Sequence, residues 1–166
     1  LETPDHVFPI AEEWQSCKNI RAAWGSSDVR YAWHAMPDAK SLHQRETLTA
    51  WRGERVSTQA VVYGGVATDS IAPLTLQLSV FKNGRHSLPS DAVKASFVRY
   101  VMTDAWTTPD GRGAGCGHRP DHTIYDSAMV ADIIDPHAVA LPLEAMSTRS
   151  VWVSCQVPAD AVVGTY

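Results

Sequence analysis

The fold is decided by the stretch VWVSCQVPADAVVGTY, residues 151–166. Residues 151–157 alternate valine or cysteine with tryptophan, serine and glutamine, which is the period-two pattern of a strand with one buried face. Pro158 ends this pattern, and Gly164 permits a chain reversal before Thr165 and Tyr166, two good strand formers. We therefore predict a strand, a turn and the start of a second strand. We expect the second strand to be cut short, so that the sheet lacks its closing strand and has an open edge near residues 151–157 unless another copy or a displaced segment fills it. The alternative is a natural C-terminus that frays after Val157.

Alternating segments recur along the rest of the chain, whereas helical spacing is scarce. They lie at residues 29–36, 55–63, 74–81 and 93–103. The segment 93–103 is apolar on both faces, which is typical of a strand covered on both sides. We predict an all-β fold, an antiparallel β-sandwich of the jelly-roll or immunoglobulin-like kind.

Three further segments complete the predicted layout. Asn83-Gly84 is a turn signal after the third alternating segment. Residues 9–19 place Ile10, Trp14 and Cys17 on one face and predict a short N-terminal helix, while residues 127–134 fit a strand and a helical turn equally.

Length and composition indicate one soluble, folded domain over residues 1–166. Charged residues make up 19% against 45% hydrophobic, and the net charge of -4 leaves no basic stripe for a nucleic-acid partner. No apolar run could span a membrane, and the first twelve residues lack the blocks of a signal peptide. We expect an exported protein whose signal has been removed. Cys17, Cys116 and Cys155 allow at most one internal disulfide, and the sequence leaves the pairing open.

A long irregular loop is predicted at residues 104–126, where glycines and prolines cluster. Loops of this length commonly carry function. Several of its side chains could stack on or hydrogen-bond to a sugar, or could equally anchor a neighbouring domain. These candidate contacts are Trp106, Arg112, His118, Arg119, His122 and Tyr125.

The same loop raises two further kinds of site. GRGAGCG at 111–117 departs from the spacing of nucleotide-binding loops, so phosphate binding is not predicted. The pattern C-x-H-x3-H, at Cys116, His118 and His122, contains residue types that bind zinc. No second pair of cysteines or histidines at ligand spacing completes a zinc site. We predict neither a metal nor another cofactor.

No catalytic residue is assigned. The chain has no G-x-S-x-G elbow, and the adjacent acids Glu12 and Glu13 fit a solvated helix face. A guanidinium, a flexible corner and a carboxylate lie just before a predicted strand, at Arg52, Gly53 and Glu54. The simplest interpretation is a structural ion pair between Arg52 and Glu54.

The tryptophans differ in their predicted roles. We predict that Trp33, Trp51 and Trp152, which lie in or beside strand patterns, belong to the core. Of the tryptophans, only Trp106 in the loop is a good candidate for ligand contact, and burial is the competing interpretation even there.

Five segments together resemble the N-terminal domain of glycoside hydrolase family 123-like proteins. They are AWRGERVSTQAVVY at 50–63, FVRYVMTD at 97–104, CGHR at 116–119, VADIID at 130–135 and VWVSCQVPADAVVGTY at 151–166. The resemblance spans about residues 45–166 and implies a β-sandwich that precedes a catalytic (β/α)8 barrel in a secreted enzyme of the β-N-acetylgalactosaminidase type. In that family the acetamido group of the substrate acts as nucleophile beside an Asp-Glu pair on the barrel, so none of those catalytic residues is carried over to this chain.

Three functional hypotheses follow. The first is an accessory, non-catalytic domain that packs against a catalytic barrel in cis, with a glycan as the substrate of the whole protein, and it requires an exposed apolar docking patch. The second is an independent carbohydrate-binding module, which requires an exposed aromatic platform. The third is a small hydrolase or metal-binding protein that uses the loop at 104–126.

Overall fold

The computed structural model describes residues 12–65, 72–104 and 127–166. They form nine strands: β1 Arg21–Gly25, β2 Arg55–Tyr63, β3 Ala72–Thr75, β4 Lys82–Asn83, β5 His86–Ser87, β6 Val93–Asp104, β7 Ser127–Asp135, β8 Ala140–Leu143 and β9 Thr148–Gln156. Two short 3₁₀ helices span Glu12–Ser16 and Ala39–Ser41. All strand pairs are antiparallel, which confirms the predicted all-β class.

Five strands form the main sheet, in the order β1-β2-β9-β6-β7. Strand β9 lies at its centre. It pairs with β2 from Thr148 to Gln156, and its residues 151–155 also pair with residues 93–97 of β6. The predicted open edge near 151–157 is therefore wrong: alternation in a sequence shows that one face is buried, but it does not show how many neighbours a strand has.

A second, two-stranded sheet of β3 and β8 packs on one face of the main sheet. Phe97, Leu141 and Val151 form the buried centre of this layer, and Leu74 and Leu76 pack against them. Because these residues come from both sheets, the core lies between two sheets, as in the predicted sandwich.

In the described part of the chain, the other face of the main sheet is covered by N-terminal residues that form no second sheet there. Trp14 and Cys17 lie in or just after the first 3₁₀ helix and are buried with Tyr31, Val61 and Tyr63. The predicted helix over 9–19 is thus present only as this short 3₁₀ turn within the described residues.

Strand β6 is covered on both faces, as its sequence predicted. Phe97 faces the second sheet, while Val98 joins Trp33, Tyr100 and Ala131 in a cluster on the opposite face. The ambiguous segment 127–134 is a strand, because it forms β7 and pairs with β6.

The turn predicted at Asn83-Gly84 is confirmed. Strands β4 and β5 pair across it, and Gly84 has a φ of 60°, a left-handed conformation that favours glycine. No helix among residues 12–65, 72–104 and 127–166 is long and apolar enough to cross a lipid bilayer.

Two predicted strands are wrong in extent or place. Residues 29–36 form no strand: Tyr31 and Trp33 are buried as the alternation predicted, but their segment turns across the sheet face. Within 74–81 only the first residues belong to β3. The alternation of this segment predicts that Leu78 and Val80 face inward with Leu74 and Leu76, but both side chains are exposed. Among the described residues, β3 pairs only with the four residues of β8, and no strand pairing continues beyond Thr75.

Truncation of Phe97 tests the core between the two sheets. We expect Phe97→Ala to lower the free energy of unfolding by about 3–5 kcal/mol, since this ring is fully buried and leaves a cavity. Urea unfolding gives the value. Val139→Ala, at a side chain that is 86% exposed, should change it by less than about 0.5 kcal/mol. Equal effects of both substitutions would contradict this assignment of the core.

Candidate functional site

The loop residues proposed for ligand or domain contact lie outside the described residues. They are Trp106, Arg112, His118, Arg119, His122 and Tyr125. Their roles stay predictions, as does any site built on the loop at 104–126.

The described cysteines and acids do not form a metal site. Cys17 is buried and Cys155 half-buried, both as free thiols, while Cys116 is not among the described residues. Burial raises the pKa of the Cys155 thiol, which makes its thiolate less available. Within the described part of the chain, no group of three or more His, Cys, Asp or Glu residues could hold a metal ion.

The most polar part of the interior lies where β6 separates from β9. The pairing of β9 with β6 ends at Phe97 and Val151. Nearer the start of β9, the backbone of Trp33 is the hydrogen-bond partner instead, because the Thr148 N–H donates to the Trp33 carbonyl at 2.7 Å. The Tyr100 hydroxyl lies 3.0 Å from the Tyr31 carbonyl oxygen and 2.8 Å from that of Thr148. This hydroxyl therefore joins β6 to β9 and to residues 29–36, here termed the covering segment.

Arg149 carries a charge into this part of the interior. Its side chain is only 1% exposed, and its guanidinium carbon lies 4.7 Å from the ring centroid of Trp33 and 5.5 Å from that of Tyr100. The two rings are stacked at 5.4 Å, and Arg149 Nε donates to the Pro142 carbonyl at 3.2 Å. Because the guanidinium is sealed from solvent, this group holds β8, β9 and the covering segment together rather than contacting a ligand.

His34 borders the same stack, with its ring 4.9 Å from that of Trp33. Burial lowers the pKa of His34, an effect that Arg149 reinforces. The carboxylate of Glu144 and a hydrogen bond with the backbone of Met146 act in the opposite direction. The neutral imidazole is thus the form that this environment favours.

The turn before β2 presents the most exposed aromatic side chain among the described residues. Trp51 is 82% exposed, so its predicted place in the core is wrong, whereas Trp33 is buried and Trp152 packs half-buried beside it. The Glu54 carboxylate accepts a hydrogen bond from the Trp51 N–H at 2.6 Å, and the Glu54 N–H donates to the Trp51 carbonyl at 3.1 Å. The ion pair between Arg52 and Glu54 stays a prediction.

One cleft of about 410 Å³ lies beside β1, at the edge of the main sheet. It is lined by Arg21, Ala22, Ala23, Ala39, Leu42, Gln44 and Tyr63. The cleft is open to solvent and brings together no acid–base pair. It therefore offers no catalytic constellation.

Comparison with known proteins assigns the chain to a family. The profile described as the glycoside hydrolase 123 N-terminal domain matches residues 24–166. The chain belongs to this family of N-terminal domains. No curated protein matches it.

A solved structure shares the fold of this family 123 N-terminal domain. It is described as "The details of glycolipid glycan hydrolysis by the structural analysis of a family 123 glycoside hydrolase from Clostridium perfringens", with a TM-score of 0.59 and 20% sequence identity. The match covers 88% of the present chain but only 23% of the solved chain. The domain thus spans less than a quarter of the length of that protein.

Replacement of the buried guanidinium tests its structural role in the domain. We expect Arg149→Lys to lower the free energy of unfolding by about 2 kcal/mol, because lysine lacks the planar face that stacks on Trp33 and Tyr100. Arg30→Lys is the matched control, since Arg30 forms an exposed ion pair with Asp132 at 3.2 Å and should change stability by less than about 0.5 kcal/mol. An Arg149→Lys protein as stable as the wild type in urea would argue against the role.

The lowered pKa of His34 predicts a pH dependence of stability. As the pH falls below the ordinary histidine pKa of 6.5, the unfolded chain takes up a proton that the folded chain resists until its own lower pKa is reached. Stability attributable to His34 is therefore lost as the pH falls through this window. We expect His34→Gln to show a shallower loss of urea stability between about pH 7.5 and pH 5. His86→Gln, on the exposed β5, is the control, and a slope unchanged by His34→Gln would refute the prediction.

Proposed function

We propose that this chain is an accessory, non-catalytic domain of a secreted glycoside hydrolase that acts on N-acetylgalactosamine-containing glycans. In this proposal it packs in cis against a catalytic (β/α)8 barrel. The observation that carries the proposal is the match to a solved family 123 enzyme of which the domain represents 23%. The remaining length of such a protein is ample for a separate catalytic domain.

The described residues support a structural rather than a catalytic role. Their most polar interior group, at Arg149, is sealed from solvent, and the open cleft at β1 contains no acid–base pair. Among the described polar side chains, Arg30 is paired with Asp132 at the surface, and the Glu54 carboxylate accepts a hydrogen bond from the Trp51 backbone in a turn. This supports hydrolysis by another domain of the whole protein.

A second candidate function is an independent carbohydrate-binding module. The observation in its favour is Trp51, because an exposed indole can stack on the apolar face of a sugar ring. Calorimetric titration of the chain with galactosamine-containing glycans tests this candidate. Binding that Trp51→Ala abolishes would favour the binding module. The absence of a heat of binding with every glycan would refute it.

Reconstitution in trans tests the main proposal. The chain is mixed with a separately produced catalytic domain of a family 123 glycoside hydrolase, and release of N-acetylgalactosamine from a chromogenic glycoside is followed. We expect no release by the chain alone and a higher melting temperature of the catalytic domain when the chain is present, since binding to the folded state raises apparent stability. Turnover by the chain alone would refute the accessory role, and an unchanged melting temperature would refute the packing.

A further inference from the structure

One end of the main sheet, here termed the Trp51 end, gathers segments that are distant in the sequence. We define it by the turn 51–54, the tail 157–164 and the β4–β5 hairpin. Strand β2 begins at this end and β9 finishes there, because Arg55 pairs with Gln156. The tail then reaches the hairpin, where Asn83 Nδ2 donates to the Val163 carbonyl at 3.3 Å.

The turn that carries Trp51 is held by its backbone. Gly53 N–H donates to the Val157 carbonyl at 2.9 Å, and Val157 N–H donates to the Glu54 carbonyl at 2.8 Å. Gln156 Nε2 donates to the Gly53 carbonyl at 2.9 Å. Gly53 itself has a φ of 80°, which glycine adopts without strain. The indole is therefore presented from an ordered turn, so that little backbone entropy is lost when a partner covers it.

The Trp51 end exposes apolar side chains with polar neighbours around them. Trp51 and Val163 are each 82% exposed, and Val162 is 41% exposed. Arg52 in the same turn and Arg55 at the start of β2 are exposed. An aromatic anchor with aliphatic residues and a charged rim is the usual composition of a protein interface, in which tryptophan is among the strongest contributors to affinity. A sugar would engage the ring but would gain little from the two valines.

We propose that the Trp51 end is the surface on which the catalytic domain docks, with Trp51 as its main anchor. This inference rests on the proposed function and gives it a location. The family profile describes an N-terminal domain, so the rest of such a protein follows on its C-terminal side, and the tail 157–164 lies at the Trp51 end. A domain that follows this tail is held near the Trp51 end by its covalent connection, which raises its effective concentration there.

Binding in trans tests the docking surface. The chain is titrated into a separately produced catalytic domain of a family 123 glycoside hydrolase, and Kd is measured by calorimetry. We expect Trp51→Ala to raise Kd by at least about tenfold, and Val163→Asp to raise it similarly. Trp51→Ala should leave the domain folded, because the hydrogen bonds of that residue within the turn use only its backbone.

Ile20→Ala is the matched control. Ile20 is 43% exposed and precedes Arg21, which pairs with Tyr63 at the opposite end of the main sheet. We expect its Kd to equal that of the wild type. Urea unfolding of each variant separates loss of docking from loss of folding.

The outcomes are distinguishable. Wild-type binding that Trp51→Ala weakens and Ile20→Ala preserves supports the docking surface. Wild-type binding that survives Trp51→Ala overturns the surface but leaves the accessory role intact, whereas a wild-type chain that does not bind overturns both. Binding of a galactosamine-containing glycan that depends on Trp51, with no effect of Val163→Asp, would reassign the indole to a sugar.

Discussion

The structure depends on the requirement that every backbone group of β9 finds a partner. This strand pairs with β2 along its whole length, but its other side pairs with β6 only over residues 151–155. At the end where β6 separates, the backbone of Trp33 supplies the missing acceptor for Thr148. An unpaired backbone N–H buried at this point would lower the stability of the fold by about as much as a lost hydrogen bond. The covering segment therefore provides a hydrogen bond that β9 needs, in addition to covering the sheet.

The same separation of β6 from β9 creates room for a buried charge. Arg149 occupies it between the rings of Trp33 and Tyr100 and the Pro142 carbonyl. Removing a guanidinium from water is costly unless it gains strong contacts, and stacking on two aromatic faces is one way to regain that energy. The group links the second sheet, the main sheet and the covering segment, which explains how a second layer of only two strands is joined to the rest.

The division between interior and surface also bears on function. The polar interior is closed and serves stability, while the ordered turn at Trp51 leaves an indole in solvent. Solvation of such a ring is unfavourable, so a domain retains it most readily where another surface covers it. This contrast supports the proposal that the domain contributes to a larger enzyme through contact with its neighbour.

The sequence by itself determined the all-β class, strands β2 and β6, the turn at Asn83-Gly84 and the family, because alternation, turn residues and motif order are local properties. The sequence also carries a signal for the burial of Arg149, because this residue continues the inward series of Val151 and Val153. Only the tertiary structure decided that β9 is central, that residues 29–36 cover a sheet face, and that Trp51 is exposed. These outcomes depend on which distant segments compete for the same hydrogen bonds and the same apolar face, and period-two alternation carries no information about that competition.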